Sequence, residues 1–295
     1  MKLLLDNAIA PIFVLIWSTG FVIARLAMPY VEPATFLFWR FAGVLAAMAA
    51  LSLVWRITWP SRSQIKHIAI AGVLLQFGYL MGVWVAVRLG MTAGLVALIV
   101  GLQPILTAWF AAWVSEKVTT KQWIGLAFGF MGVALVVAAK VGLLSIPLIS
   151  YFLAFAALLS ITFGTIYQKK YCPVFDLRAG SAIQFGVSAA LSFLCMNLFE
   201  AGVMVWNAPV IGALLWAIFP ISIGSISLLF MMIRKGAATK VTSFLYLVPP
   251  TTAAMAWLLF DEPFTLLMAV GLCLTMTGVV LVNARQKNTV ATIAE

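Results

Sequence analysis

The stretch GMTAGLVALIVGLQPILTAWFAAWVSE, residues 90–116, returns 146 positions later as GAATKVTSFLYLVPPTTAAMAWLLFDE, residues 236–262. Pro104 of the first copy is matched by Pro250 of the second. Both copies are apolar, long enough to cross a bilayer as a helix, and interrupted by proline near the midpoint. A duplicated, proline-broken membrane helix is typical of transporters that are built from two related halves.

The composition indicates that the chain is surrounded by lipid. Its 295 residues are 64% hydrophobic and only 9% charged, whereas a soluble domain has about 25% charged and about 45–50% apolar residues. The formal net charge is +10, but the basic residues lie in short loops between apolar runs. That placement fits anionic lipid headgroups and the control of topology, and it argues against a nucleic-acid partner.

A helix of about twenty apolar residues spans a bilayer, and this criterion predicts ten spans. We therefore expect an all-α integral membrane protein in which two inverted five-helix repeats surround a central cavity. The predicted spans are residues 8–28, 34–55, 66–88, 92–114, 121–139, 147–168, 179–199, 209–233, 239–260 and 264–284. The first run lacks a convincing cleavage site, so we expect it to be kept as a helix.

The basic residues predict the orientation of these spans. Fourteen lysines and arginines lie in segments on one side, whereas only Arg25, Arg88 and Lys140 lie in loops on the other. The positive-inside rule therefore predicts that both termini are cytoplasmic.

The repeat extends beyond the opening pair. Phe41 is matched by Phe185 at a shift of 144, and Gly78 by Gly224 at a shift of 146. Five spans are an odd number, so the two halves face opposite sides of the membrane and leave a site between them. The expected domains are a first repeat, an inverted second repeat and a polar tail, at residues 1–140, 141–288 and 289–295.

The sequence offers little for catalysis. His67 is the one histidine, in a basic segment predicted as an interfacial loop without partners for metal or acid–base work. No Gly-rich phosphate loop is present, and the three cysteines lack metal-ligand spacing. We therefore expect no enzyme activity, no cofactor and no metal. All carboxylates fall at or beyond span ends, which favours transport driven by the substrate gradient over a proton relay.

Arg40 is the one charge well inside a predicted span, and Gln184 is its counterpart at a shift of 144. A charge in the membrane often serves function. The alternative is that its guanidinium reaches the interface or pairs with Glu32. Both interpretations stay open, and a polar residue at both repeat positions favours a polar interior.

Pro104 and Pro250 are expected to kink spans 4 and 9 and to act in gating. Each removes a backbone N–H, so the carbonyl four residues earlier needs another partner in lipid. That partner is a water-filled cavity, a substrate ammonium or a neighbouring helix.

Aromatic and polar residues recur at helical spacing on several spans, which predicts a cavity with aromatic walls and polar groups for a small amphipathic solute. Helix packing is the alternative for each stripe taken alone. The candidate substrate-binding residues are Trp17, Gln76, Tyr79, Phe163, Tyr167, Ser225, Ser243 and Tyr246. Spans 5 and 10 are instead rich in small residues, which favours close packing of these two helices away from the pathway.

The ten spans, the WSTGF run at residues 17–21, the LQPI run around Pro104 and the helix ends at Glu116 and Glu262 resemble the drug/metabolite transporter superfamily, EamA type. Within it, the chain is most similar to the bacterial YddG-type exporters of aromatic amino acids. The resemblance implies export from the cytoplasm, with spans 1, 3, 4, 6, 8 and 9 around a cavity. It also implies substrates such as aromatic amino acids, methionine and related metabolites.

We therefore expect an inner-membrane exporter of amino acids that works by alternating access, with the bilayer as its surroundings and no obligate protein partner. An exporter of other metabolites or drugs is the alternative within the same superfamily. Cationic drugs favour a membrane-embedded acid, which the sequence lacks, and sugar nucleotides favour deep basic residues, for which Arg40 is the one candidate. An intramembrane enzyme or a purely structural bundle fits the residues less well.

Overall fold

The computed structural model describes residues 2–54, 58–115, 120–141, 146–172, 175–225, 228, 247–262 and 264–283. Within them the chain is helical, and no named strand is present. The helices are α1 (Lys2–Ala27), α2 (Pro33–Val54), α3 (Arg62–Gly72), α4 (Tyr79–Arg88), α5 (Ala93–Val100), α6 (Gln103–Ser115), α7 (Thr120–Val141), α8 (Leu148–Tyr171), α9 (Leu177–Phe199), α10 (Ala208–Trp216), α11 (Val248–Phe260) and α12 (Leu266–Asn283). Two π-helical segments, π1 (Val73–Gly78) and π2 (Ala217–Gly224), continue α3 and α10.

Four helical stretches in the described part of the chain are long and apolar enough to cross a membrane. They are Pro33–Ala50, Arg62–Arg88, Leu148–Tyr171 and Arg178–Phe199. Shorter apolar helices of 10–17 residues occur in the remaining predicted spans, as at Ala93–Thr107 and Val248–Phe260. The all-helical, apolar character expected from the composition is therefore confirmed.

Local sequence explains where several helices begin and end. Ser61 forms a capping box with Gln64 at the start of α3, and the Thr92 and Asn207 side chains cap α5 and α10. Gly90 follows α4 with a positive φ of 99°, a backbone conformation that suits glycine.

The chain divides into two compact units. Unit 1 comprises Met1–Val22, Thr92–Ile146 and Ser227–Glu295, and unit 2 comprises Ile23–Met91 and Pro147–Ile226. Each unit draws helices from both predicted repeats. Repeat-related helices are neighbours within each unit, since α7 packs on α12 and α5 on α11 in unit 1, and α2 packs on α9 in unit 2.

The α7–α12 pair in unit 1 packs through its small residues, as the sequence predicts. A Cβ atom added to Gly271 would lie 2.6 Å from the carbonyl oxygen of Gly132, and one on Gly278 would lie 2.5 Å from the backbone nitrogen of Gly129. Real Cβ atoms do not approach other atoms so closely. The glycines therefore allow the two backbones to touch.

The core of unit 2 forms around α2. Phe36, Leu37 and Phe41 are fully buried on this helix. Phe36 stacks on Trp84 of α4, with 4.3 Å between ring centroids, and Phe41 lies 5.8 Å from Phe185 of α9. One face of α2 is thereby held against both helices.

Candidate functional site

The proline break in predicted span 4 is sharper than the sequence indicates. The sequence predicts a kink in one continuous helix at Pro104, but α5 ends at Val100 and α6 begins at Gln103. The amide of Leu102 bonds to the carbonyl of Ile99 at 3.1 Å, a tighter i to i−3 turn. Pro104 therefore occupies the first turn of α6, where a missing N–H is tolerated.

The start of α11 packs against this break within unit 1. Helix α11 begins with Val248, Pro249 and Pro250, so its prolines also occupy a first helical turn. A Cβ atom on Gly101 would lie 2.6 Å from Cγ of Pro249, so only glycine allows this approach. The break in span 4 and the proline-led start of α11 are therefore in direct contact.

Helix α1 joins this contact through hydroxyl groups. The Ser18 hydroxyl, in the WSTGF run, donates to the carbonyl of Val248 at 3.4 Å, and the Thr252 hydroxyl donates to the carbonyl of Ser18 at 3.4 Å. Both side chains are fully buried. We refer to Ser18, Gly101, Val248, Pro249 and Thr252 as the proline cluster.

Other predicted residues of unit 1 lie beside the proline cluster. Trp17 is half-buried and packs against Phe13, with 5.5 Å between ring centroids, and Pro250 is half-buried. Ser243, Tyr246 and Glu116 lie outside the described residues. The repeat-mate of Glu116, Glu262, is buried, and its carboxylate accepts a hydrogen bond from the backbone N–H of Ala93 at 3.1 Å, at the start of α5.

Three further candidates lie in or directly after the two π-helical segments of unit 2. Gln76 is half-buried in π1, and Tyr79 is buried immediately after it. Ser225 is fully buried immediately after π2. The ends of the two segments, Gly78 and Gly224, are the glycine pair that the repeat matches at a shift of 146.

Serine hydroxyls satisfy carbonyls of both wide turns. Ser160 of α8 donates to the carbonyl of Leu74 at 2.8 Å. Ser222 donates to Ala217 at 2.8 Å and Ser225 to Pro220 at 3.4 Å, each five residues back. These hydroxyls add hydrogen bonds to the carbonyls of the two wide turns in an apolar surrounding.

Arg40 of α2 is buried in unit 2, with 5% of its surface exposed. Its Nε and Nη2 atoms donate to the hydroxyl of Ser222 at 3.4 and 3.2 Å, and Tyr79 lies close enough for an electrostatic interaction. The guanidinium does not pair with Glu32. The carboxylate of Glu32 instead accepts from the backbone N–H of Ala201 at 2.9 Å.

Tyr167 and Gln184 occupy a separate polar cluster of unit 2. The Tyr167 hydroxyl lies 2.8 Å from Nδ1 of His67, and Gln184 donates to Gln168 at 2.8 Å. His67 stacks on Tyr171, with 5.1 Å between ring centroids. The loop position expected for His67 is therefore wrong, because this residue lies on α3 and packs against α8.

Phe163 of α8 is 43% exposed. It precedes Tyr167 by one helical turn, at the spacing that defines the stripe in the sequence.

Acidic groups at helix ends have structural partners. Asp176 caps α9 and is bonded to Arg178, with 2.9 Å between Oδ2 and Nη2. The hydrogen bond from the Arg178 side chain lowers the pKa of Asp176 to about 2. Glu200 accepts from the backbone N–H groups of Ala34 and Thr35 at 2.7 and 2.8 Å, which fixes the start of α2.

Comparison with protein families decides the class of the chain. The model of the EamA-like transporter family matches residues 8–138 and 148–284. The chain belongs to the EamA-like transporter family. The resemblance in the sequence to this family and to the drug/metabolite transporter superfamily is thereby confirmed.

Relatives of this EamA-like transporter include three similar bacterial proteins. It is 30% identical to the uncharacterized transporter YvbV of Bacillus subtilis, over 93% of this chain and 90% of the relative. It is 26% and 25% identical to the probable amino-acid metabolite efflux pumps of Salmonella typhimurium and Escherichia coli, over 92% of this chain and 93% of each relative. A solved crystal structure has the same fold, with a TM-score of 0.67 at 18% identity over 98% of both chains.

Sequence patterns miss several residues of the EamA-like transporter that form the proline cluster and the contact between Arg40 and Ser222. Ser18 and Thr252 have no helical spacing to mark them, although Ser18 belongs to the WSTGF run. The contact between Arg40 and Ser222 joins residues 182 positions apart, which no local pattern indicates. A buried hydroxyl next to a proline or a wide helical turn is the feature that would have identified them.

Proposed function

We propose that this EamA-like transporter exports amino acids, including aromatic amino acids, methionine and related small metabolites, across the bacterial inner membrane by alternating access. Two relatives that share more than nine-tenths of their length with the chain are named probable amino-acid metabolite efflux pumps. Membership of a transporter family supports movement of a solute in place of catalysis.

The observation that carries the proposal is the proline cluster. A helix break, a proline-led helix and two buried hydroxyls meet inside one unit of an apolar chain. Broken helices with partnered backbone groups are found in transporters at substrate sites and gates. In this proposal Pro104 and Pro250 let spans 4 and 9 bend as the transporter opens to either side.

The proposed binding residues divide into apolar walls and polar groups. Trp17, Tyr79, Phe163 and Tyr246 would contact an apolar or aromatic side chain, because flat rings bury a large area. Gln76, Ser225 and Ser243 would bond to the amino-acid backbone, and Tyr167 and Gln184 would line the polar approach. Burial of Tyr79 and Ser225 next to the π-helical segments supports their place in this set.

The proposed architecture has ten spans in two inverted repeats, over residues 1–140 and 141–288, with a polar tail at 289–295. The packing of repeat-mates supports it, since α7 contacts α12, α5 contacts α11 and α2 contacts α9. The second span of one repeat therefore neighbours the second span of the other, as a two-fold relation requires.

Transport by purified protein in proteoliposomes tests this function. Radiolabelled phenylalanine, tryptophan and methionine should be taken up down their gradients faster than into empty vesicles. A Tyr79→Ala variant should lower the rate by about tenfold, because a ring contact is worth roughly 0.5–1.5 kcal/mol beyond its area. The matched control is Tyr30→Ala, since Tyr30 is 39% exposed outside the helices.

A folded wild-type protein that moves none of the three amino acids would refute the substrate class. Uptake of a cationic dye or of another metabolite by the same vesicles would then favour the drug or metabolite alternative. Equal rates for Tyr79→Ala and Tyr30→Ala would remove Tyr79 from the site.

A further inference from the structure

Arg40 points into the core of unit 2. Its neighbours on α2 at positions 36, 37 and 44 are fully buried, whereas the adjacent Trp39 is 42% exposed. Arg40 shares the buried face of the helix because residues three and four apart lie on one side. The charge is therefore carried into the protein and away from the lipid-facing side.

The described residues supply no counter-ion for this charge. Their one ion pair is between Asp176 and Arg178, and none of their carboxylates lies within 4.0 Å of the Arg40 guanidinium. Glu32 and Glu200 accept hydrogen bonds from backbone groups. A buried charge without a counter-ion strongly destabilises a fold, so its presence in this core indicates a functional role for Arg40.

Ser222 leaves part of the guanidinium available. Its hydroxyl donates to the carbonyl of Ala217 and accepts from Nε and Nη2 of Arg40. The bonds to Ser222 use Nε and Nη2, and Nη1 donates to no described residue. The two N–H groups of Nη1 are therefore left to donate to a solute.

The groups around Arg40 come from both π-helical segments. Ser222 belongs to π2, and Tyr79 directly follows π1. The segments are repeat-mates, ending at Gly78 and Gly224. π-helical turns are rare in proteins as a whole, but those that occur are often found at functional sites. Its presence at both repeat positions beside one buried arginine indicates that these wide turns serve to position polar groups.

We propose that Arg40 binds the carboxylate of the transported solute, with Ser222 and Tyr79 as positioning residues that orient the guanidinium. The inference rests on the proposed function, and it narrows the substrate to solutes with a free carboxylate. A guanidinium matches a carboxylate in geometry and charge, and the bound anion neutralises the buried cation. The same positive charge repels a purely cationic drug and selects against it.

Binding by the full-length protein in detergent tests the proposal without transport. The probes are 3-phenylpropanoate and its neutral amide, 3-phenylpropanamide, at matched concentrations. The wild-type unfolding midpoint should rise by at least about 2 °C with the carboxylate and should not change with the amide. Arg40→Gln should abolish this rise, Arg40→Lys should retain part of it, and the exposed control Arg25→Gln should retain all of it.

Transport in proteoliposomes gives a second readout. Arg40→Gln should lower phenylalanine uptake by about tenfold to a hundredfold, the range for a hydrogen bond to a charged group. Arg40→Gln should also unfold at the same temperature as the wild type or higher without ligand, because it removes an unpaired buried charge. A lower midpoint would assign Arg40 a structural role and overturn the proposal.

The remaining outcomes separate the two proposals. Carboxylate binding that depends on Arg40, without uptake of any amino acid, would refute amino-acid export and leave the carboxylate site supported. Equal stabilisation by acid and amide, an equal response in Arg40→Gln, or no response in the wild type would overturn the carboxylate site. Stabilisation by chloride or inorganic phosphate that 3-phenylpropanoate does not displace would also overturn it.

Discussion

At the scale of single residues, hydroxyl groups add hydrogen bonds to backbone carbonyls where the helices are irregular or begin. Ser160 bonds to a carbonyl of π1, Ser222 to a carbonyl of π2, and Ser18 to the first residue of α11. Each hydroxyl can donate once and accept as well. Ser222 uses both capacities, because it donates to the backbone and accepts from Arg40. Small hydroxyl residues thus allow irregular backbone inside an apolar chain.

Asp176 provides a residue-scale prediction for pH. Its pKa is lowered to about 2 from 3.8 by the hydrogen bond from Arg178, so the ionised form is favoured in the folded state. The resulting stabilisation is present above about pH 4 and is lost as the pH falls through about 2. Asp176→Asn, which keeps a capping side chain, should lower the free energy of unfolding at pH 7 by about 1 kcal/mol or less, given solvent screening.

Thermal unfolding in detergent at pH 7, 4 and 2 measures this effect. The difference between wild type and Asp176→Asn should shrink at the lowest pH. Asp261→Asn is the control, because Asp261 is exposed and has a φ of 51° that asparagine tolerates. A difference that stays constant from pH 7 to pH 2 would show that the charge of Asp176 does not stabilise the fold.

At the scale of elements, close helix contact in this chain depends on glycine. Helices α7 and α12 touch through Gly129, Gly132, Gly271 and Gly278, and α5 meets α11 through Gly101. Both are pairs of repeat-mates. Without a strong hydrophobic driving force between helices in lipid, such close backbone packing is a main source of their association.

Substitution of Gly271 tests this packing at the element scale. In Gly271→Ala the new methyl would lie 2.6 Å from both the Gly132 carbonyl and a Val136 methyl, so the helices must separate. Overpacking of this kind costs about 1–3 kcal/mol. The matched control is Gly186→Ala in α9, where nothing lies within 4 Å of an added Cβ. This control should be neutral or should stabilise by up to about 1 kcal/mol, because alanine favours helix.

The unfolding midpoints of the two alanine variants, measured in the same detergent, test whether the α7–α12 contact stabilises the fold. We expect a decrease for Gly271→Ala and no decrease for Gly186→Ala. Equal midpoints would mean that the α7–α12 contact does not contribute to stability.

Hydropathy locates helices but not their internal hydrogen-bond register. The predicted spans 34–55 and 179–199 agree within about two residues with Pro33–Val54 and Leu177–Phe199. The break at Gly101 and Leu102 and the two π-helical segments have the same apolar composition as regular helix, so no period reveals them. The sequence identifies Arg40 as a charge within a predicted span, but its contact with Ser222 depends on tertiary packing.

At the scale of the whole molecule, the repeat makes a prediction about sidedness. Residues 56 and 202 are one repeat apart at the shift of 146. In an inverted repeat, related positions lie on opposite sides of the membrane, whereas in a parallel repeat they lie on the same side. Arg56 and Arg62 lie in the loop between predicted spans 2 and 3. In the loop between predicted spans 7 and 8, residues 201–206 contain no lysine or arginine. The positive-inside rule therefore places residue 56 in the cytoplasm and residue 202 outside.

Reporter fusions in a bacterial host test this sidedness. Alkaline phosphatase, which is active only outside the cytoplasm, should be active when fused after residue 202 and inactive after residue 56. A green fluorescent protein at the C-terminus should fluoresce, because that end is predicted to be cytoplasmic. Activity of both phosphatase fusions, or of neither, would contradict the inverted repeat. An even number of spans in each half would then be required, and the alternating-access scheme built on two opposed halves would lose its structural basis.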